Sequence, residues 1–168
     1  MKKVTVIIGI IILLLSINKE SKLIIPKNSI RFRIIANSNK KEDQQLKKQI
    51  LKNLTNTIKE INSSKNIETT RKNIQKEIPK FTKTVEKTID SSNFKETFHI
   101  NYGKNFFPEK EYKNVIYPAG EYESLVITLG NGTGDNFWCV LFPPLCLIDE
   151  NNNVEYKSIV KEIIEKYF

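Results

Sequence analysis

The residues best suited to covalent chemistry are two cysteines and a single histidine. Cys139 and Cys146 bracket Val-Leu-Phe-Pro-Pro-Leu, and His99 lies some forty residues upstream. A thiolate nucleophile needs a base, and the base must be oriented by a third polar group. Cys139, His99 and an acid such as Asp135 supply those types, which would make a cysteine-dependent cell-wall hydrolase. Nothing in their spacing ties them together. His99 falls on the polar side of an alternating stretch, the ordinary setting of a solvated histidine. The chain is therefore expected to carry no catalytic set, and soft ligands are too few for a metal site or for any cofactor that needs one.

The same cysteines admit a structural reading. Pro143 and Pro144 can fold the intervening segment back on itself, and closing so short a loop contributes about 2.5 kcal/mol in the chain-entropy view. Apolar neighbours equally suit two buried thiols. Spacing alone leaves both open. A glycine run, Gly130-Asn131-Gly132-Thr133-Gly134, could in principle cradle phosphate. Such loops lead into a helix, however, and this one leads into Phe137-Trp138-Cys139-Val140, with no lysine in the P-loop position. A hairpin or an exposed recognition loop is the better expectation.

Charge narrows the partners. The chain has 168 residues, a formal charge of +8 and a pI near 9.4. Basic residues concentrate in 40–90, whereas 91–168, which holds most of the aromatics, is net acidic. Single-strand nucleic-acid grooves need cations and stacking rings together, so nucleic acid is not expected, and no small-molecule substrate is indicated. A lysine-rich helical face is either simply solvated or drawn to an acidic partner, anionic lipid headgroups or the polyanionic wall.

The elements that position these residues begin with Lys2 and Lys3, followed by an apolar or small run from Val4 to Ile17. This matches a signal peptide and is short of the about 20 residues of a spanning helix. Residues 1–20 are read as a signal peptide or retained anchor, since Ser16 and Ser21 make only weak cleavage sites. Residues 21–28 are read as a linker and 29–168 as one domain.

Ile30, Phe32 and Ile34 alternate with Arg31, Arg33 and Ile35, the period of a strand with one apolar face. Asn39 and Glu42 suggest a capping box. From about Lys41 to Ile61 a helix then follows, striped by Leu46, Ile50, Leu51, Leu54, Ile58 and Ile61. Ile67, Ile74 and Ile78 predict a second helix ending near Pro79, and Phe81, Val85 and Ile89 a third. Strands are predicted around Phe94–Tyr102, Glu123–Leu129 and Asn136–Phe142, with a loop from Phe107 to Gly120, and a last helix over Tyr156–Tyr167. The order β-α-α-α-β-β-β-α implies an α/β sandwich, a mixed sheet of about four strands with helices packed on it.

Two stretches resemble the stage II sporulation protein R family. One is Ile25-Pro26 with Ser-Ile-Arg-Phe-Arg-Ile-Ile-Ala-Asn-Ser-Asn at 29–39 and Asp43-Gln44. The other runs from Tyr117-Pro-Ala-Gly-Glu-Tyr-Glu through Leu-Val-Ile-Thr-Leu-Gly-Asn-Gly at 125–132 to Asn136-Phe-Trp-Cys-Val-Leu-Phe-Pro-Pro-Leu-Cys. Phe137 replaces an expected tryptophan. The resemblance implies a non-enzymatic signal made in the forespore and exported to the space between the two membranes. There it would trigger a membrane-embedded aspartic protease that cleaves the precursor of sigma-E. Residue chemistry, rather than the family, suggests the contact surface: Arg31 and Arg33, the turn Asn37-Ser38, the loops carrying Tyr117, Gly120, Tyr122, Gly130, Gly132 and Gly134, and Asn136. Trp138 is expected in the core, with Tyr117 and Tyr122 accessible.

Overall fold

The computed structural model describes residues 23–112, 115–146 and 162–167, so the apolar run Val4–Ile17 lies outside the described residues. Among the described residues the elements run β1 (Leu23–Ile24), β2 (Ile30–Ile35), α1 (Lys41–Asn62), α2 (Ile67–Asp90), β3 (Phe98–Phe107), β4 (Lys110–Tyr112), β5 (Val115–Tyr117), β6 (Gly120–Leu129) and β7 (Asn136–Phe142). Of the last helix predicted over Tyr156–Tyr167, residues 162–167 are described and are helical. No helix among the described residues is long and apolar enough to cross a membrane.

The main sheet has the order β3-β6-β2-β7. Strands β2 and β6 run parallel, and the two outer pairings are antiparallel. On one face lie Ile30, Phe32 and Ile34 of β2, Leu125, Ile127 and Leu129 of β6, and Cys139 and Leu141 of β7. They pack against Leu46, Ile50, Leu54, Ile58 and Ile61 of α1 and Ile74, Phe81 and Val85 of α2. Each such side chain contributes about 1.5–3 kcal/mol on burial, which holds both helices flat on the sheet. The α/β sandwich with a four-stranded mixed sheet is thus the architecture observed.

Several local expectations are corrected. The second and third predicted helices are one, α2, with Pro79 inside it. Proline removes the hydrogen bond to the carbonyl four residues back, at Gln75. Pro79 is exposed, so water can take that place, and Ile74, Phe81 and Val85 keep one continuous buried stripe across it. Asn66 caps this helix by accepting from the Thr69 amide at 2.8 Å. The capping box at Asn39 and Glu42 does not form. Lys40 stands at the N-cap without a side-chain bond, and the Asn39 side-chain carboxamide oxygen accepts from the Asp135 amide at 2.7 Å instead.

The supposed linker 21–28 contains β1, which pairs in parallel with β5, and Ile25 is fully buried. The supposed loop between Phe107 and Gly120 contains β4 and β5, completing a small sheet of order β1-β5-β4. Nor is the glycine run a hairpin. β6 and β7 lie on opposite sides of β2, so the run crosses the end of β2 instead of joining neighbours.

Candidate functional site

The face of the main sheet turned away from the helices is where the two arginines point. Register places Gly103, Ser124, Arg31 and Val140 in one row across the strands. The next row holds Asn101, Val126, Arg33 and Trp138, and the one after it His99, Thr128, Ile35 and Asn136. The small sheet and its aromatic neighbours cover the first of these rows and reach Trp138 in the second, where Lys110 of β4 lies 5.2 Å from the indole centroid. The other two are left with exposed or partly exposed polar groups around Ile35 and Val126.

In the covered half, Arg31 is 1% exposed. Its guanidinium carbon lies 3.4 Å from the Tyr122 ring centroid, 5.3 Å from that of Phe107 and 5.8 Å from that of Tyr117. The Pro118 carbonyl accepts from Arg31 Nη2 at 3.4 Å and from the Tyr122 hydroxyl at 3.1 Å. Gly120 opens β6 directly beside the Tyr122 ring. The stretch Tyr117–Tyr122 is therefore one structural unit, an aromatic cage around a cation. Desolvation pulls the Arg31 pKa below its ordinary value, opposed in part by Tyr122 and Tyr117. The π-faces offset that cost by about 2 kcal/mol for a desolvated cation.

The open half holds Arg33, partly exposed, its guanidinium carbon 5.0 Å from the Phe107 centroid. Desolvation lowers its pKa too. Trp138 links the halves: its ring stands edge-on to Phe107 at 5.2 Å and to Tyr117 at 6.5 Å. Among the described residues, no carboxylate pairs with either arginine. Four sealed nitrogens on this face lack an acceptor: Arg31 Nε and Nη1, Arg33 Nε and Trp138 Nε1. The Asn136 carbonyl oxygen is a sealed acceptor without a donor. Such groups are rare in folded proteins and call for a physical reason.

The glycine loop and the Asn37-Ser38 turn meet at the end of this half. The Asn37 carboxamide oxygen accepts from the Asn131 amide at 2.9 Å, and its nitrogen donates to Asp43 at 2.9 Å. The Asn37 main-chain carbonyl accepts from the Thr133 amide and hydroxyl. Ser38 donates to Asp43 at 2.6 Å. Lys47, nearly buried, donates to the Asp135 carbonyl at 2.7 Å, and desolvation lowers its pKa against the opposing charge of Asp135. Gly130 sits at φ +52° against the Asn37 side chain, and a Cβ on Gly134 would strike the Ser38 carbonyl. Gly132 donates to the Leu129 carbonyl at 3.1 Å.

The structure thus sorts the predicted contact residues. Arg33, Asn37, Ser38, Gly130, Gly132, Gly134 and Asn136 gather at the open end. Arg31, Tyr117, Gly120 and Tyr122 belong to the cage, and Arg31, Tyr117 and Tyr122 are buried, which corrects their expected accessibility. Trp138 is only partly buried. Asn37 and Ser38 spend their side chains on Asp43 and the loop, so they frame the site. Sequence reasoning missed Phe107, Asp43 and Lys47. The stretch Asn37 to Asp43 carried the signal for Asp43, as two amide or hydroxyl donors just ahead of a carboxylate.

The hydrolase constellation does not assemble. Cys139 and Cys146 are joined by a disulfide, their Cα atoms 5.1 Å apart. Cys139 lies on the helix side of the sheet, whereas His99 leaves the opposite face and is exposed.

The described residues thus form a small α/β domain with a half-covered, cationic sheet face. The sequence matches the family described as stage II sporulation protein R over residues 26–152. It is also 41% identical over 145 residues to stage II sporulation protein R of Bacillus subtilis (strain 168), across 84% of this chain. The chain spans 63% of that relative's length. No solved structure matches. The chain belongs to the stage II sporulation protein R family, and that membership gives it a role in sporulation.

Proposed function

We propose that this chain is an exported, non-enzymatic signal that activates a membrane-embedded aspartic protease, which in turn processes the precursor of sigma-E. The observation that carries the reading is the family match over residues 26–152. Two features support it. The Cys139–Cys146 disulfide suits an oxidising space outside the cytoplasm, in keeping with the lysine pair and apolar run at the start of the chain. The candidate pair Cys139 and His99 is split between opposite faces of the sheet. Activation by binding requires the signal to hold the active protease state more tightly than the inactive one.

The test is co-expression of the full chain, with and without residues 1–20, alongside the protease and the sigma-E precursor in a host that does not sporulate. Precursor cleavage that depends on the exported chain is expected. Cleavage that proceeds equally without it, or only when it is kept in the cytoplasm, rejects the reading.

A further inference from the structure

The unpaired groups on the arginine face are strongly one-sided in chemistry. Arg31 Nε and Nη1, Arg33 Nε and Trp138 Nε1 are donors without acceptors, set against one unmatched acceptor, the Asn136 carbonyl oxygen. Both arginines carry positive charge two residues apart on one strand face, and both lean on the same Phe107 ring, with centroid distances of 5.3 and 5.0 Å. Among the described residues no acid answers them. A face with surplus donors and surplus positive charge is complementary to an anionic oxygen group.

The two arginines divide the work. Arg31 is 1% exposed and cannot touch a ligand; it adds charge from below. Arg33 is partly exposed, and of its nitrogens only Nε is both sealed and unpaired. Its fork therefore opens outward, beside Trp138 in the same register row, with Asn136 one row on and Asn101 at the far edge. The planar fork matches a planar carboxylate with two parallel hydrogen bonds. The adjacent indole N–H is sealed, so it reports on the site without touching the ligand. The rows around it are extended strands, so the fitting partner is a protein segment presenting an aspartate or glutamate.

We propose that Arg33, with Trp138 Nε1 beside it and Arg31 behind it, is the receptor for a carboxylate side chain of the protein partner. This deepens the binding role proposed above and rests on it. It assigns the open half of the sheet face as the recognition surface and sets an anionic group against its surplus positive charge.

Trp138 is the sole tryptophan, so its indole N–H gives a single, assignable resonance. The full, oxidised chain is titrated with acetyl-Gly-Glu-Glu-Gly-amide, with its Gln-Gln counterpart, and with inorganic phosphate, all at matched ionic strength. The Glu peptide is expected to move the indole resonance saturably, with the Gln peptide and phosphate without comparable effect. Arg33→Met is expected to weaken the Glu-peptide affinity by about tenfold or more, as loss of a charge-assisted pair does, with the amide spectrum otherwise unchanged. Arg33→Gln serves in its place if the methionine variant loses its dispersed spectrum. An unmoved indole, an equal response in the Arg33 variants, or an equal response to phosphate overturns the proposal. Precursor cleavage is scored separately: cleavage by a chain whose indole ignores the Glu peptide defeats the carboxylate receptor alone. A responsive indole with no cleavage defeats the protease reading alone.

Discussion

Arg31 and Arg33 are the same side chain on the same face of the same strand, yet one is sealed and the other is not. Arg31 sits under Tyr117, Phe107 and Tyr122, in the half of the face that the small sheet covers. Arg33, two residues along, lies where that cover ends. The contrast teaches that a charged residue's task is set by what the rest of the chain lays over it. In one half the cation organises an aromatic cluster, and in the other it remains available to a partner.

The largest effect should come from emptying the cage. Arg31→Ala removes a fully buried stem and is expected to cost about 3 kcal/mol in urea unfolding. Arg31→Met, close in volume and without the buried charge, is expected to stay within about 1 kcal/mol of the parent. If methionine proved as damaging as alanine, the guanidinium itself, and not its bulk, would hold the covered half.

Replacing Cys139 and Cys146 together by serine is expected to cost about 2.5 kcal/mol, seen as a difference between oxidised and reduced parent that the variant lacks. Asn37→Ala should cost about 1 kcal/mol, because Asp43 loses one of two donors in a partly buried setting and the exposed Asn131 amide loses its acceptor. It should also loosen the frame of the open half, read as faster amide exchange across 130–135.

A smaller effect concerns the helix side, where Arg71 of α2 grips Glu123 of β6 at 2.8 Å and Tyr102 of β3 donates to the same carboxylate. Burial pushes the Glu123 pKa up, but the bonds from Arg71 and Tyr102 outweigh it and leave the group below its ordinary value. A depressed carboxyl contributes stability above its unfolded pKa, and that stability is lost as pH falls through the folded one. Acid unfolding should therefore be shallower in Glu123→Gln, which costs about 1 kcal/mol or less at neutral pH. The smallest stability change should belong to Arg33→Met, within about 0.5 kcal/mol. That same variant is the one expected to lose the Glu-peptide response. A large stability loss there would merge the two halves into one.

Much of this frame was legible in the sequence. Period two in Ile30–Ile35 and the threes and fours of Leu46–Ile61 placed β2 and α1 within a residue, because each presents one apolar face to a common core. β1, β4 and β5 escaped notice because strands of two or three residues are too short to show a period. Pro79 was taken as a boundary on local grounds, and packing of the flanking apolar stripe overrode it. The site was legible in part. Alternation showed that Arg31 and Arg33 share a face, but nothing local says that a second sheet lies over one of them. The pairing of Asn37 with a glycine loop nearly a hundred residues away is likewise a fact of topology.

That topology has a consequence for how the chain comes into being. β2, the first strand of the main sheet, is flanked on both sides by the last two, β6 and β7. Contacts spanning such sequence distances are slow to form. During synthesis, β2 must wait for about ninety residues to emerge before β6 arrives and for about a hundred before β7 does. A chain halted before Phe142 would keep one flank of β2 bare, a ready template for mispairing. Completion is all or nothing, decided at the far end of the polypeptide.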